Sequence, residues 1–288
     1  MKAKWKYKNL WLLALWVFGF VSCTEIIDIE LDSTYQRLIV YGCVTTDSLH
    51  HQVQLSTSSD YFSNKPSPRV KNAVVELEYG NRLLQLEEHD TIPGLYLAPH
   101  AFRGVPNTTY LLHISQVDVD DDGVYETYNA ASTIPPVALL DSIQLAYFQS
   151  PFASGYQVFM FGQDPPTREW YSYKIWRNSD LLTDSLSKYT VQTDDFYNGT
   201  YIYGLPVGFI WNDDPGKGLQ PGDTVTLELN SIDEAYYNFV QDAQLEIMGN
   251  NPLFSGPSAN VRSNIDNGGK GIFTAYSVER ASAILPEE

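Results

Sequence analysis

The chain has 288 residues, with 35 acidic against 18 basic side chains and a net charge of −17. A surface of that sign repels phosphate backbones, which excludes nucleic acid as a partner. With 20 Tyr, 13 Phe and 6 Trp, the composition is that of a folded, strand-rich protein and not of a disordered one.

Lys2, Lys4, Lys6 and Lys8 precede an apolar run from Leu10 to Val21, which stops at Phe20-Val21-Ser22-Cys23. The run is too short to span a bilayer permanently. A small residue before a cysteine suits a peptidase that cuts once the thiol is acylated, so residues 1–22 are expected to be a lipoprotein signal peptide and Cys23 the lipidated residue. Cleavage removes four lysines and no acid. The acidic surface gives no electrostatic attraction to anionic lipid, which leaves the acyl chains as the anchor. Cys43 is then without an intramolecular partner, and it reads as a buried, inert thiol at the end of a strand.

Residues 23–36 are expected to be a tether. From Arg37 short runs alternate between apolar and polar residues. Val75, Leu77 and Tyr79 fall on one face of a strand, with Glu76 and Glu78 on the other, before a turn at Gly80-Asn81. Tyr110–Val117 and Val124–Ala131 read as a hairpin. About seven such strands in roughly a hundred residues suggest an immunoglobulin-like β-sandwich over 37–136.

Pro135-Pro136 marks a boundary. A second β-rich domain is expected over 137–288, with strands at Tyr156–Phe161, Trp170–Trp176 and Thr224–Leu229. In the last, Val225, Leu227 and Leu229 should face inward and Thr224, Thr226 and Glu228 outward. It carries one α-helix near 232–248. Ser231 and Glu234 suggest a capping box, Tyr236, Phe239, Val240, Ala243 and Ile247 fall at helical spacing, and Gly249 closes the segment. The fold class is therefore mainly β.

Several of these segments resemble a family of Bacteroidota lipoproteins known as domain-of-unknown-function family 4249. They are Leu38-Ile39-Val40-Tyr41-Gly42, Val53-Gln54-Leu55-Ser56, Gly104-Val105-Pro106-Asn107, Leu140-Asp141-Ser142-Ile143, Asn251-Pro252-Leu253-Phe254 and Gly271-Ile272-Phe273-Thr274-Ala275-Tyr276. The resemblance covers most of the mature chain. It implies an envelope lipoprotein, often encoded near an outer-membrane transporter of the TonB-dependent type, and it supplies no catalytic residues to carry over. Thr24-Glu25-Ile26-Ile27-Asp28 lacks a dense acidic export signal, so the periplasmic and surface faces both stay open.

Asp118, Asp120 and Asp122, followed by Gly123, match the first half of a calcium loop. Glu126 would be position nine, but Asn129 stands where a bidentate glutamate belongs. The alternative is a solvated hairpin tip of repelling acids. Six Asp–Ser/Thr steps place Ser33, Ser48, Thr91, Ser142, Ser185 and Thr224 as candidates for O-glycosylation, a pattern that resembles the O-glycan acceptor of exported Bacteroidota proteins. The alternative is that such pairs simply open strands after turns. Tyr197, Tyr201, Tyr203, Phe209 and Trp211 lie in sequence broken by Gly199, Gly204, Pro206 and Gly208, and they suggest an exposed ring platform for ligand binding.

No zinc-spaced histidine pair, nucleophile elbow or phosphate loop is present in the sequence. The expected function is a non-catalytic accessory that binds a TonB-dependent transporter or its substrate. The alternatives are an envelope hydrolase acting on glycan or peptide, and a surface adhesin.

Overall fold

The computed structural model describes residues 36–48, 51–59, 66–151, 153–212, 216, 218–248 and 261–287. The signal peptide, Cys23, Ser33 and most of the tether lie outside them, as does the Asn251–Phe254 segment.

The first half contains β1 (Leu38–Thr45), β2 (Gln52–Thr57), β3 (Val74–Tyr79), β4 (Arg82–Glu88), β5 (Leu95–Leu97), β6 (Thr109–Val117) and β7 (Glu126–Thr133). Strands β3 and β4 join through the expected turn, with Tyr79 opposite Arg82 and Gly80 at φ 56°. Glycine takes that left-handed backbone without a Cβ penalty. Strands β6 and β7 form the expected hairpin, with a bulge between Ile114 and Val117.

The second half contains β8 (Leu139–Gln149), β9 (Ser154–Gln163), β10 (Trp170–Arg177), β11 (Asp180–Leu181), β12 (Thr190–Thr193), β13 (Tyr201–Trp211), β14 (Thr224–Ile232), α1 (Glu234–Met248) and β15 (Lys270–Ile284). Twelve strands form one sheet, ordered β11-β10-β14-β15-β1-β2-β5-β4-β3-β6-β7, with β12 beside β10. The remaining three form a second sheet, β13-β9-β8. Among the described residues the fold is mainly β with a single α-helix.

Strand β15 joins the two halves. Its residues from Lys270 to Tyr276 pair parallel with β1, and those from Ser277 to Ile284 pair antiparallel with β14. Two large apolar clusters lie on either side of Pro135-Pro136. One gathers residues from Leu38 to Ile134 and is completed by Ile265, Phe273 and Ala275, while the other runs from Ala138 to Leu285. A third, made of Ile232, Tyr236, Val240, Ile272 and Tyr276, lies under the helix. Phe273 and Ala275 therefore serve one core while Ile272 and Tyr276 serve another. Burial on both faces explains why this stretch is nearly continuously apolar.

Helix α1 begins at Glu234, and its cap is Asp233, whose Oδ1 accepts the Tyr236 amide at 2.8 Å. Ser231, expected to cap it, belongs to β14 and pairs with Ser277. The ladder to β15 holds the chain extended through Ile232, so the helix starts later. Tyr236, Val240 and Ala243 are buried as their spacing predicts, whereas Ile247 is exposed.

Candidate functional site

A concavity of about 380 Å³ opens between β10, β13 and the segment that connects β11 to β12. Tyr173 and Ile175, both buried, form its base. Thr183, Ser187 and Lys188 supply polar groups, and Phe209 and Trp211 supply rings. Local bonds fix the connecting segment. Thr183 Oγ1 accepts the Ile175 amide at 3.1 Å, the Leu182 amide donates to the Ile175 carbonyl at 2.8 Å, and a single 3-10 turn covers Leu186–Lys188. Lys188 Nζ lies 2.8 Å from Asp184 Oδ1.

Gly208 sets the depth of this space. A Cβ there would stand 2.4 Å from Ile175 Cδ1, so glycine lets β13 come close over β10. The Phe209 and Trp211 rings are 4.3 Å apart, centroid to centroid. Phe148 meets Phe209 edge-on at 6.2 Å, and the Phe209 ring passes over Gly155, where a Cβ would lie 2.5 Å from its Cε1. Phe148, Phe209 and Trp211 thus make a ring cluster at one end of the small sheet. Phe148 and Trp211 are about half exposed.

The five rings read from sequence as one platform occupy three places. Phe209 and Trp211 line the concavity. Tyr201 and Tyr203 pair at 4.6 Å at the other end of β13, and Tyr203 is strongly exposed. Tyr197 packs against the second core, and burial pushes its phenol up to about 12. From Tyr201 to Trp211 the stretch is a strand and not loop, because Gly204 and the Pro206–Gly208 step are accommodated as two shifts in register against β9, whereas Tyr197 lies in the turn before it. Lys188, Thr183 and Phe148 escaped sequence reasoning, since they come from elements distant in the chain and carry no motif.

In the hairpin tip, one carboxylate oxygen from each of Asp118, Asp120 and Asp122 falls within 4.8 Å of the others. Both oxygens of Asp118 are occupied by backbone amides, those of Asp122 at 3.1 Å and Gly123 at 2.9 Å. Asp122 Oδ1 accepts the Val124 amide at 2.7 Å. These bonds build the turn by themselves. Among the candidate acceptors for glycan, Ser48, Thr91, Ser142 and Ser185 are exposed and Thr224 is half-buried at the start of β14.

Three carboxylates that drew no attention in the sequence are buried together. Asp164 follows β9, Glu169 precedes β10 and Asp194 follows β12, each less than 5% exposed. Asp164 accepts the Tyr171 hydroxyl at 2.7 Å and the Gly199 amide at 2.9 Å. Asp194 Oδ2 accepts the Glu169 amide at 2.9 Å, while its Oδ1 is buried without a partner. Burial, reinforced by their mutual repulsion, pushes Asp164 and Glu169 above the usual carboxylate range, and burial does the same to Asp194.

No curated protein matches this sequence. Residues 24–282 match the family described as domain of unknown function DUF4249, which spans both cores and the shared strand β15, and the chain belongs to that family.

Proposed function

We propose that the chain is a lipid-anchored binding component of the outer membrane, held through Cys23, that works beside a TonB-dependent transporter. The ring-rimmed concavity between β10 and β13 carries this reading. Among the described residues its lining combines Phe209 and Trp211 with Thr183, Ser187 and Lys188 and has no carboxylate, histidine or cysteine. Apolar walls with a few converging polar groups suit capture of a ligand or a partner segment.

Purification of the chain from membranes in mild detergent, with mass spectrometry of what accompanies it, tests the partnership. A co-purifying transporter that is lost on Trp211→Ala supports the reading, and a preparation without any transporter in every detergent removes it. Because Trp211 is half exposed, the substitution should leave folding intact.

Calcium at Asp118, Asp120 and Asp122 belongs to the same proposal. The hairpin tip offers three carboxylate groups to a hard cation. Titration with calcium should release heat and raise the melting temperature; neither effect at millimolar calcium dismisses the site. Glycans at Ser48, Thr91, Ser142, Ser185 or Thr224 would add mass beyond lipid and polypeptide, and an intact mass without that excess rejects them.

A further inference from the structure

The small sheet β13-β9-β8 turns one face to the second core, through Ile143, Val158, Met160, Ile202 and Ile210. Its other face follows from the register, since residues opposite each other in an antiparallel pair share a side. Four rows result: Phe148, Gly155 and Trp211; Ala146, Gln157 and Phe209; Gln144, Phe159 and Pro206; Ser142, Phe161 and Tyr203. Each row contains an exposed residue, and of the twelve only Gly155 is buried. With rows about 7 Å apart, the strip is about 20 Å long.

This face is neutral on a strongly acidic protein. Asp141, at the register shift of β8, is the one charged residue in the three strands, although the chain carries −17. Six of the twelve positions are aromatic, and Tyr203 is 83% exposed. Towards each end a glycine lets a ring lie over the sheet. Phe209 passes over Gly155, and Phe161 passes over Gly204, where a Cβ would stand 3.4 Å from its Cζ. Amides and a hydroxyl are interleaved with the rings. Gln144 and Ser142 are exposed. Gln157 is fixed in the middle strand, where its Nε2 donates to the Gly208 carbonyl at 2.7 Å, and among the described residues its Oε1 is left to accept.

We propose that this face binds neutral polysaccharide, with sugar rings stacked along the strip on Trp211, Phe148, Phe159 and Tyr203. It deepens the proposed binding role, on which it rests, by naming the class of ligand. A pyranose offers apolar C–H faces to aromatic rings, and its hydroxyls both donate and accept. The strip sets rings and amides side by side to meet both. Charge complementarity selects this occupant. An acidic polymer or an anionic lipid headgroup finds no cation on the three strands, and a basic partner finds only Asp141. An acyl chain or an apolar protein face would strip water from Gln157 Oε1 and return no donor, a cost that a sugar hydroxyl avoids.

Isothermal titration of the full chain, in a detergent without a sugar headgroup, tests this with cellohexaose, maltohexaose and mannohexaose. At least one should bind, and more tightly than its own disaccharide, which is too short to reach every row. Phe148→Ala and Tyr203→Ala, at opposite ends of the strip, should each weaken binding about fivefold. Both rings are exposed, so folding should be kept. Tyr147→Ala is the control. That ring is 54% exposed beside Phe148, but alternation puts it on the inner face, so affinity should hold within about twofold. The inference is overturned if none of the three binds at millimolar concentration, or if the two outer substitutions change nothing. It is overturned too if Tyr147→Ala costs as much as they do, if hexagalacturonate binds as well as the neutral sugars, or if only phosphatidylcholine vesicles bind. Sugar binding without a co-purifying transporter upholds this inference and removes the transporter partnership; a transporter without sugar binding does the reverse.

Discussion

Glu228 and Arg280 are direct partners across the β14–β15 ladder, and the guanidinium gives both Nε and Nη2 to Glu228 Oε2, at 2.9 Å and 2.6 Å. Glu228 is 3% exposed and also meets Lys174 Nζ at 3.1 Å from its other oxygen. Arg280 continues to both oxygens of Asp47, beyond the end of β1. One carboxylate thus neutralises two cations and ties together β10, β14, β15 and the loop after β1.

Removing it should be costly. Glu228→Ala leaves Lys174 without its buried counter-charge, and the expected loss is about 3 kcal/mol of unfolding free energy. Urea denaturation measures this. A loss below about 1 kcal/mol would mean that water reaches the site and screens it.

The carboxylate of Asp194 makes a prediction about pH. Its folded value lies above the usual carboxylate range because it is buried, so between the two values the folded chain holds a proton that the unfolded chain has lost. Stability contributed by this group therefore falls as pH rises from the ordinary carboxylate range through the folded value. Asp194→Asn should stabilise the protein at neutral pH, with the gain shrinking as pH is lowered. Thermal melts of both proteins from mildly acidic to neutral pH check the sign, and a gain that grows on acidification contradicts it.

Gly271 sits at φ 104°, opposite Val40 in the parallel pairing, and a Cβ there would come within 1.9 Å of the Val40 carbonyl oxygen. Gly271→Ala should cost about 3 kcal/mol or prevent folding. Gly123→Ala is the control. Its φ is 84°, but nothing lies near the added atom, so about 1 kcal/mol is expected. Equal effects from the two would show that backbone conformation, and not contact with β1, sets the cost.

Asn264 bonds to Phe273 in the manner of a strand residue, donating to its carbonyl at 2.7 Å and accepting its amide at 3.0 Å, and it also donates to Ala131. Asn264→Ala should cost about 2 kcal/mol. It should also speed hydrogen exchange at the amides of β7, which the segment covers. Unchanged exchange in β7 would mean that Asp266 and Asn267 keep the edge closed without it.

Much of the secondary structure was legible. The Val75/Leu77/Tyr79 alternation, the Gly80-Asn81 turn and the β6–β7 hairpin follow from local spacing, and so does the buried stripe of α1. Glu228 misled the reading. Alternation along β14 places it on the face away from Val225, Leu227 and Leu229, which is correct, but that face is itself covered and its charge is met by Lys174 and Arg280. The site was legible only in part. Phe209 and Trp211 could be singled out as rings in broken sequence, but nothing local joins them to Lys188 or Phe148.

By itself the sequence determined which stretches extend, which one coils and where the chain turns, because side-chain periodicity and the φ preferences of glycine and proline act over a few residues. Only the tertiary structure decided that β15 pairs with β1 over one half of its length and with β14 over the other, that β13 closes over β10 to leave a ring-rimmed concavity, and that three acids are buried side by side. Those outcomes depend on contacts between segments far apart in the chain, where pairing and burial choose among many locally equivalent strands.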